Sequence, residues 1–366
     1  MKLEVSKEAL FAKVQLVGRV SGKQVTLPVL QGIFLEAREG RVFLRATNLD
    51  IGLEGSVAAK IEREGVCVVS ASVLSQVLGS MTKGGMISLE SVEGSLAVGG
   101  VHGVSRLATL DHTEFPSLPQ VEGGETVVLQ ASDLIAGIRS VWFAASQSSI
   151  KPELASVYLY EENGSMVCVA TDSFRLAEKK VRMKKPAQLL PLLVPNRTVV
   201  DLMRTLEVCE GDVTVTFSSN QLSCSFEDVY VTTRLVDGTF PDYRQIIPAD
   251  RVTTVVFLKQ DILQALKKAT IFSDRFNQVT FVVEPNKKKI TLEARSADIG
   301  EMKEVVEGAI EGDDLTISFN QKYVIDAFQS IEADSVSFQF SGPGRPVIIQ
   351  GVGDDSFLYL VMPMNK

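Results

Sequence analysis

The stretch GRVFLRATNLD at residues 40–50 decides the fold of this chain, because its pattern is repeated twice. Similar sequences occur at residues 164–174 (GSMVCVATDSF) and at residues 287–298 (KKKITLEARSAD). The alanines of successive stretches are 124 residues apart in both intervals. A repeat of this length is the size of a domain and far exceeds the roughly 20 to 50 residues of solenoid repeats. The sequence therefore indicates several similar domains in one chain.

Three amphipathic segments follow with nearly the same spacing. They read VSASVLSQVLGSM from Val69, VPNRTVVDLMRTL from Val194 and FNQKYVIDAFQSI from Phe319, and they begin 125 residues apart. Because two independent landmarks share one period, each repeat carries several elements in a fixed order.

Two connectors with related wording separate the repeats: TEFPSLPQVEGGE from Thr113 and TFPDYRQIIPADR from Thr239. Proline, glycine and acidic residues are typical of linkers between domains. We therefore expect three domains, over residues 1–121, 122–248 and 249–366.

Each repeat is predicted to run strand, helix and three strands, and then the same order again. Apolar residues at helical spacing predict one helix from about Ser6 to Val20 and another from Ala71 to Met81, the latter capped by Ser70 or Ser72. The matching helices are predicted at residues 132–145, 196–206, 259–272 and 321–330. Short runs rich in β-branched residues between turns predict the strands. We expect an α+β fold of three similar domains, each with two helices packed on antiparallel sheets.

The bulk composition is that of a globular protein. The 366 residues are 45% hydrophobic and 22% charged, which leaves room for three cores of about 120 residues each. No apolar run reaches the roughly 18 residues that cross a bilayer, and residues 1–11 do not resemble a signal peptide. Cys67, Cys168, Cys209 and Cys224 lack a C-x-x-C spacing, and all but Cys209 fall in strand-like runs. We expect reduced cysteines and a cytoplasmic protein with no membrane contact.

Patterns that would indicate an enzyme do not stand out in the sequence. His102 and His112 have no acidic, cysteine or serine partner at a recognisable spacing. Residues 79–85 lack the spacing of a phosphate-binding loop. The Asp pairs at 313–314 and 354–355 lie in turn-like contexts, where aspartate is favoured for backbone reasons. The sequence therefore predicts no catalytic residue, no metal site and no cofactor.

Charge is distributed unevenly between the predicted elements. The chain carries a formal net charge of −8, which opposes nonspecific binding to nucleic acid. The six predicted helices and their flanking turns nevertheless hold thirteen basic and seven acidic residues. If the helices share one face, that face attracts a polyanion and the rest repels it. Ordinary solvated helix faces explain the same bias, and the pattern alone leaves both interpretations open.

Four stretches together resemble one known family: LPVLQGIFLEA from Leu27, VATDSFRLA from Val169, LVDGTFPDYRQIIP from Leu235 and VMPMN from Val361. With the three-part layout they are similar, over the whole chain, to the bacterial sliding clamps, the beta subunits of DNA polymerase III. The resemblance implies a head-to-tail homodimer that forms a six-domain ring, with helices lining the hole. It implies a processivity factor, not an enzyme, which encircles duplex DNA without reading its sequence.

The resemblance also implies a hydrophobic groove between the second and third domains. In the family this groove receives short linear peptides from the DNA polymerase III alpha subunit, the clamp loader, and repair and translesion polymerases. Phe174 replaces a common histidine and Gln245 a basic residue, which makes the predicted pocket more apolar. The matching positions are Lys151, Leu154, Thr171, Phe174, Arg175, Leu176, Pro241, Gln245, Ile246, Asn320, Tyr323, Gly344, Pro346, Leu360, Met362 and Met364.

Two further sets of positions follow from the same resemblance. The DNA-facing positions would be Lys23, Gln24, Arg197 and Arg204, with Gln24 where an arginine is common. The dimer interface would include Leu107, Ile271 and Phe272, with Ser105 where an aromatic residue is frequent.

Three alternatives remain at this point. The chain could be a divergent clamp paralogue or a scaffold that binds only proteins. It could also be an enzyme with a site near Asp172, Arg175 and Tyr323.

Overall fold

The computed structural model describes residues 1–22, 27–82, 84–183 and 189–364. Within these ranges the α-helices are α1 (Lys7–Val17), α2 (Ala71–Ser80), α3 (Ala131–Val141), α4 (Asn196–Leu206), α5 (Lys259–Ile271) and α6 (Gln321–Asp326). The predicted helices are confirmed, but α1, α3 and α6 each end three or four residues earlier than expected. A 3-10 turn continues α1, α3 and α6 at Gly18–Val20, Trp142–Ala144 and Ala327–Gln329, as often happens at helix ends.

The strands of the described residues pair antiparallel throughout. They are β1 (Lys2–Ser6), β2 (Gly32–Arg38), β3 (Arg41–Thr47), β4 (Ile51–Arg63), β5 (Gly65–Ser70), β6 (Met86–Val92), β7 (Ser95–Gly100), β8 (Gly103–Leu110), β9 (Glu125–Gln130), β10 (Ser156–Glu162), β11 (Ser165–Thr171), β12 (Arg175–Arg182), β13 (Leu192–Pro195), β14 (Asp212–Phe217), β15 (Gln221–Phe226), β16 (Val229–Arg234), β17 (Thr253–Leu258), β18 (Gln278–Glu284), β19 (Lys289–Ser296), β20 (Gly300–Val306), β21 (Gly308–Gly312), β22 (Leu315–Asn320), β23 (Ser335–Phe340), β24 (Val347–Gly351) and β25 (Phe357–Val361).

The predicted order of elements is confirmed in all three repeats, with one additional strand in the third. In the first repeat, β4 is a single strand that pairs with both β3 and β1. In the third, the equivalent segment is divided at Glu307, so that β20 pairs with β19 and β21 with β17. Gly308 begins β21 so close to β17 that an added Cβ would lie 2.7 Å from the Val256 carbonyl oxygen. The close approach at this glycine is visible only in three dimensions.

The first compact unit consists of residues 1–132 and 200–235. It contains a 12-stranded sheet in the order β1-β6-β7-β8-β5-β2-β3-β4-β16-β15-β14-β9. The repeat pattern predicts two sheets per repeat, and the structure joins sheets of neighbouring repeats. The join is the pairing of β4 with β16, where Ile51 lies opposite Thr233.

The second compact unit consists of residues 133–199 and 236–366. It contains a 9-stranded sheet, in the order β13-β10-β11-β12-β25-β24-β23-β17-β21, and a 4-stranded sheet, β20-β19-β18-β22. Its large buried side chains include Phe257, Phe281 and Phe338, whose rings contact one another at centroid distances of 5.3 and 5.7 Å. The register of β12 against β25 pairs Leu176 with Leu360 and so joins the second repeat to the third.

Local sequence explains where two of the helices begin. The Ser6 hydroxyl accepts a hydrogen bond from the Ala9 N–H, and the Ser70 hydroxyl accepts one from the Val73 N–H. Such caps satisfy backbone donors that the first helical turn leaves unpaired. Among the helices that the structure describes, none combines the length and apolar character needed to cross a lipid bilayer.

Candidate functional site

The predicted groove positions all belong to the second compact unit. Several of them lie where β12 pairs with β25 inside the 9-stranded sheet, with Arg175 opposite Val361 and Leu176 opposite Leu360. The linker after β16 and the last residues of the described chain lie against the same part of the sheet, since Phe240, Tyr243 and Met362 pack in one apolar cluster with it. The structure therefore brings together segments from three distant parts of the sequence.

A tight turn from Thr171 to Arg175 presents the exposed aromatic side chain of Phe174. The Asp172 Oδ1 atom accepts hydrogen bonds from the Phe174 N–H (2.9 Å) and the Arg175 N–H (3.0 Å). The Thr171 hydroxyl donates to the Arg175 carbonyl (2.6 Å) and accepts from the Ser173 N–H (3.2 Å). Ser173 has a φ of 77°, a conformation that costs energy for a residue other than glycine. The turn leaves the Phe174 side chain 62% exposed.

Arg175 is held by interactions on every side of its guanidinium group. Its Nε donates to Asp172 (3.0 Å), its Nη1 to Asp326, and its Nη2 to the Phe143 carbonyl (2.7 Å). Its guanidinium carbon lies 4.5 Å from the centroid of the Tyr323 ring. Asp172, Arg175 and Tyr323 therefore do come together, as the enzyme alternative requires. Because all three nitrogens of Arg175 already donate to protein groups, the cluster fixes the turn instead of offering a free catalytic group.

An apolar cluster forms the base of the candidate groove. Its buried members are Val167, Val169, Leu176, Leu193, Phe240, Tyr243 and Leu360, and Met362 packs against them. Leu154, Thr171 and Pro346 are also buried. These buried positions support the groove and have little surface that a ligand can contact. The sequence alone does not distinguish such supporting residues from residues that contact the ligand.

The surface of the candidate groove is formed by the remaining positions. Exposed members are Lys151, Phe174, Pro241, Gln245, Ile246 and Gly344, and partly exposed ones are Arg175, Asn320, Tyr323, Met362 and Met364. Most of these positions are apolar or aromatic, and Lys151 is the one lysine among them. Aromatic, aliphatic and thioether groups of this kind can accommodate peptide side chains of different shapes.

The end of the described chain is fixed by backbone hydrogen bonds. The Met362 N–H donates to the Phe174 carbonyl (2.8 Å), and the Met364 N–H donates to the Ser318 carbonyl (2.8 Å). A chain terminus without such bonds is usually frayed. Met362 is therefore held next to the exposed Phe174, and Met364 next to Ser318 of β22.

The linker at residues 240–246 is anchored by a polar network that the sequence does not predict. The Tyr243 hydroxyl donates to Glu178 Oε2 (2.5 Å) and lies 2.8 Å from the Tyr160 hydroxyl. Arg244 donates to both carboxylate oxygens of Glu162 at 2.7 Å. Burial raises the pKa of Tyr243, and the hydrogen bond to Glu178 raises it further. The only hint in the sequence is that a tyrosine and an arginine follow Pro241 directly.

Two of the four predicted DNA-facing residues are described by the structure; Lys23 and Gln24 lie outside the described residues. Arg197 and Arg204 are both exposed and stand two turns apart on α4, which places them on one side of that helix. The opposite side of α4 is buried through residues such as Leu202.

Several other basic side chains of the predicted helices are engaged in structural contacts. Lys13 donates to Asp228 at 2.9 Å, and Lys268 pairs with Glu304 at 2.5 Å. Lys7 is buried against the Phe11 ring. The excess of positive charge counted from the sequence is therefore not all available to a ligand.

The predicted interface residues differ in exposure. Leu107 is only 4% exposed on β8, so its side chain belongs to the core and offers little area to a partner. Ile271 is largely exposed and Phe272 partly so. The outer edge of β8 over Gly103–Ala108 and that of β20 have no paired strand within the described residues. Exposed apolar side chains lie on or directly before both strands: Val101 and Val104 at β8, and Ile299 and Val305 at β20.

Comparison with known proteins matches nearly the entire chain to one family. Models of the DNA polymerase III beta subunit match with the N-terminal domain at residues 1–119, the central domain at 128–242 and the C-terminal domain at 244–365. The beta sliding clamp of Synechococcus elongatus is 29% identical, and the match covers 100% of this chain and 99% of that protein. The beta sliding clamp of Bacillus subtilis is 28% identical, and the match covers 100% of both chains.

The fold agrees with a solved structure of the same kind. The crystal structure of the DNA polymerase III subunit beta from Pseudomonas aeruginosa superimposes with a TM-score of 0.94 at 26% identity, covering 100% of both chains. Sequence and fold therefore lead to the same assignment. The chain belongs to the DNA polymerase III beta subunit family and is a sliding clamp.

Proposed function

We propose that two copies of this chain close head to tail into a six-domain ring around duplex DNA and that the ring tethers polymerases to it. The observation that carries the proposal is the threefold repeat, which matches the family from end to end. Three domains, over residues 1–121, 122–248 and 249–366, would give each copy half of the ring. A contact between unlike ends closes into a ring only when rotation brings the last subunit back to the first.

The edges of β8 and β20 are suited to ring closure. An unpaired strand edge offers a row of backbone donors and acceptors, and a second antiparallel strand can complete it. We infer that β8 of one copy pairs with β20 of the other, with Val104, Ile271, Phe272 and Ile299 buried between them. Leu107 would support β8 from its own core.

The contribution of DNA contacts is expected to be weak. Arg197 and Arg204, together with Lys23 and Gln24, would face the duplex and attract phosphates without reading bases. Affinity from such contacts falls steeply with salt, since each neutralised phosphate releases counterions. A ring that holds DNA by enclosure needs few of them, which is compatible with a net charge of −8.

Partner proteins would bind the candidate groove through short linear peptides. Phe174, Ile246, Met362 and Met364 supply the apolar contact surface, and Lys151 supplies a cation at its margin. Partners of this type are the polymerase III alpha subunit, the clamp loader, and repair and translesion polymerases. Sliding clamps are processivity factors without catalytic activity, and we assign this chain the same role, in the cytoplasm and without a cofactor.

Peptide binding to full-length protein tests the groove assignment. The probe is a fluorescent synthetic peptide that ends in Leu-Phe, and its anisotropy is measured against protein concentration. Phe174→Ala should weaken binding by about tenfold or more, as truncation of an exposed aromatic anchor does. Val352→Ala, which truncates another exposed apolar side chain of the same unit, is the matched control. Equal affinities for the two variants and the unchanged protein would refute the groove.

A further inference from the structure

A cavity of about 280 Å³ lies in the first compact unit, where the turn before β4, the linker after β8 and the end of β16 come together. None of the predicted site residues lines it. Its lining includes Leu49, Asp50, Gly52, Leu118, Thr232 and Arg234.

The turn at this cavity repeats the turn that presents Phe174. The Asn48 Oδ1 atom accepts hydrogen bonds from the Asp50 and Ile51 N–H groups, each at 3.0 Å, as Asp172 does for the residues 124 positions later. The Thr47 hydroxyl donates to the Ile51 carbonyl at 2.9 Å and accepts from the Leu49 N–H at 3.0 Å. Leu49 has a φ of 77°, the same value as Ser173. The two turns therefore share their backbone conformation and their hydrogen bonds.

The strand pairing around the cavity also has its counterpart in the groove. The Arg234 N–H donates to the Asp50 carbonyl at 3.2 Å, just as the Met362 N–H donates to the Phe174 carbonyl. Phe-Pro begins both linkers, at residues 115–116 and at residues 240–241. The cavity thus occupies, at the junction of the first and second repeats, the place that the groove occupies at the next junction.

The side chains of the two places differ in chemistry. Asp50 stands at the position of Phe174, and Arg234 at that of Met362. Gly52 stands at the position of Leu176, and the Leu118 side chain fills the space where a Cβ would lie. The cavity is consequently more polar than the groove, and a peptide suited to one would not suit the other.

Three side chains of the cavity wall have groups that a ligand can contact: Thr232, Arg234 and Leu49. Thr232 is 3% exposed, and its hydroxyl makes no hydrogen bond to any residue that the structure describes. A buried hydroxyl that makes no hydrogen bond destabilises the folded protein, and most buried hydroxyls in proteins do have a hydrogen-bond partner. The Arg234 side chain is exposed and forms no ion pair with the described part of the chain, and the Leu49 side chain is 50% exposed.

We propose that this cavity is a second peptide-docking site, which takes a short partner segment carrying one carboxylate beside an aliphatic side chain. The carboxylate would pair with Arg234, a polar group of the segment would satisfy Thr232, and the aliphatic side chain would cover Leu49. The negative charge of Asp50, on the same rim, disfavours a second acid in the segment. The proposal rests on the proposed function, in which partners bind this clamp through linear peptides.

The test uses the full-length protein and the labelled peptide Ac-Ser-Leu-Asp-Leu-Ala-amide, with the same peptide carrying Asn for Asp as its neutral twin. Arg234→Gln and Thr232→Val should each weaken binding of the acidic peptide, Arg234→Gln by about tenfold, since a hydrogen bond to a charged group is replaced by a neutral one. Leu49→Asn keeps a residue that tolerates positive φ and should also weaken it. The neutral twin should bind about tenfold more weakly to the unchanged protein.

The matched control is Phe174→Ala, which should leave the acidic peptide unaffected while it weakens the Leu-Phe peptide. The proposal is overturned if the acidic peptide does not bind, if Phe174→Ala abolishes its binding, or if Arg234→Gln leaves its affinity unchanged. Stronger binding of a single-stranded oligothymidine than of the peptide, lost in Arg234→Gln, would assign the cavity to nucleic acid and also overturn it. Failure of the groove itself would appear separately, as loss of the contrast between Phe174→Ala and Val352→Ala for the Leu-Phe peptide.

Discussion

Arg175 connects three segments of the second compact unit through one guanidinium group: the turn at Asp172, the end of α6 at Asp326 and the Phe143 carbonyl. The Arg175 side chain is 11% exposed, and that of Asp172 is 14% exposed. Arg175→Met would leave the Asp172 carboxylate largely buried without its cation. Removing one partner of a buried ion pair costs about 3–5 kcal/mol.

The expected result is a lower midpoint of urea unfolding for Arg175→Met, because this unit loses stability. Lys287→Met is the control, since the Lys287–Glu284 pair is on the surface and exposed pairs contribute little. A midpoint for Arg175→Met as high as that of the control would contradict the structural role assigned to Arg175.

The four cysteines differ in burial, and we expect their thiols to differ in reactivity for that reason. Burial raises the pKa of the Cys67 thiol to about 12, and it also raises the pKa of Cys168 and Cys224. Cys209 is only partly buried, next to the turn before β14. Because the thiolate is the reactive form, we expect one thiol to react quickly with Ellman's reagent at pH 8 in the native protein and four in urea. Rapid reaction in a Cys209→Ser variant would contradict this assignment.

Among the elements, the linker at residues 240–246 depends on Tyr243. Because the pKa of Tyr243 is raised, the folded protein retains this proton above about pH 10, where a tyrosine of the unfolded chain loses it. The stability from this group is complete below pH 10 and is lost as the pH rises beyond it. Tyr243→Phe removes that titration.

We therefore expect the unfolding midpoint of Tyr243→Phe to fall less steeply between pH 10 and 11 than that of the unchanged protein. The difference corresponds to about 1.4 kcal/mol per pH unit for one proton. Below pH 9 the two midpoints should differ by a constant amount, which reports the lost hydrogen bond to Glu178. Parallel curves across the entire range would contradict the raised pKa.

The elements themselves were largely predictable from the sequence, since they depend on local periodicity and caps. The start of α4 at Asn196 was predicted, and of the two predicted caps of α2, Ser70 and Ser72, the structure has Ser70. The division of β20 from β21 at Glu307 was not predictable, because it depends on how closely Gly308 approaches β17. The joining of β4 to β16 was equally hidden, since strand pairing between repeats leaves no periodic pattern in either strand.

For the candidate site, the sequence identified the segments but not the role of each side chain. Leu176, Leu360 and Phe174 are all predicted groove positions, yet the two leucines are buried, whereas Phe174 is exposed. Burial depends on packing between distant segments, which a linear motif does not encode. The hydrogen-bond network around Tyr243 was not predicted for the same reason, because Glu178 lies 65 positions away in the chain.

At the scale of the whole molecule, the threefold repeat, the family match and the edges of β8 and β20, which are unpaired within the described residues, support the proposal of a homodimeric ring that retains DNA by enclosing it. Retention by enclosure differs from retention by charge in a way that can be measured. A ring on closed DNA can leave only when it opens, whereas a ring on a linear duplex slides off an end. Charge-based binding, in contrast, depends on salt and not on the ends.

In the most direct measurement, labelled protein is loaded onto nicked circular DNA by a clamp loader and ATP. The DNA-bound fraction of the protein is then followed by gel filtration at about 0.15 M salt. The account predicts stable retention on the circle and rapid loss once a restriction enzyme makes the same DNA linear. Equal retention on circular and linear DNA would contradict it.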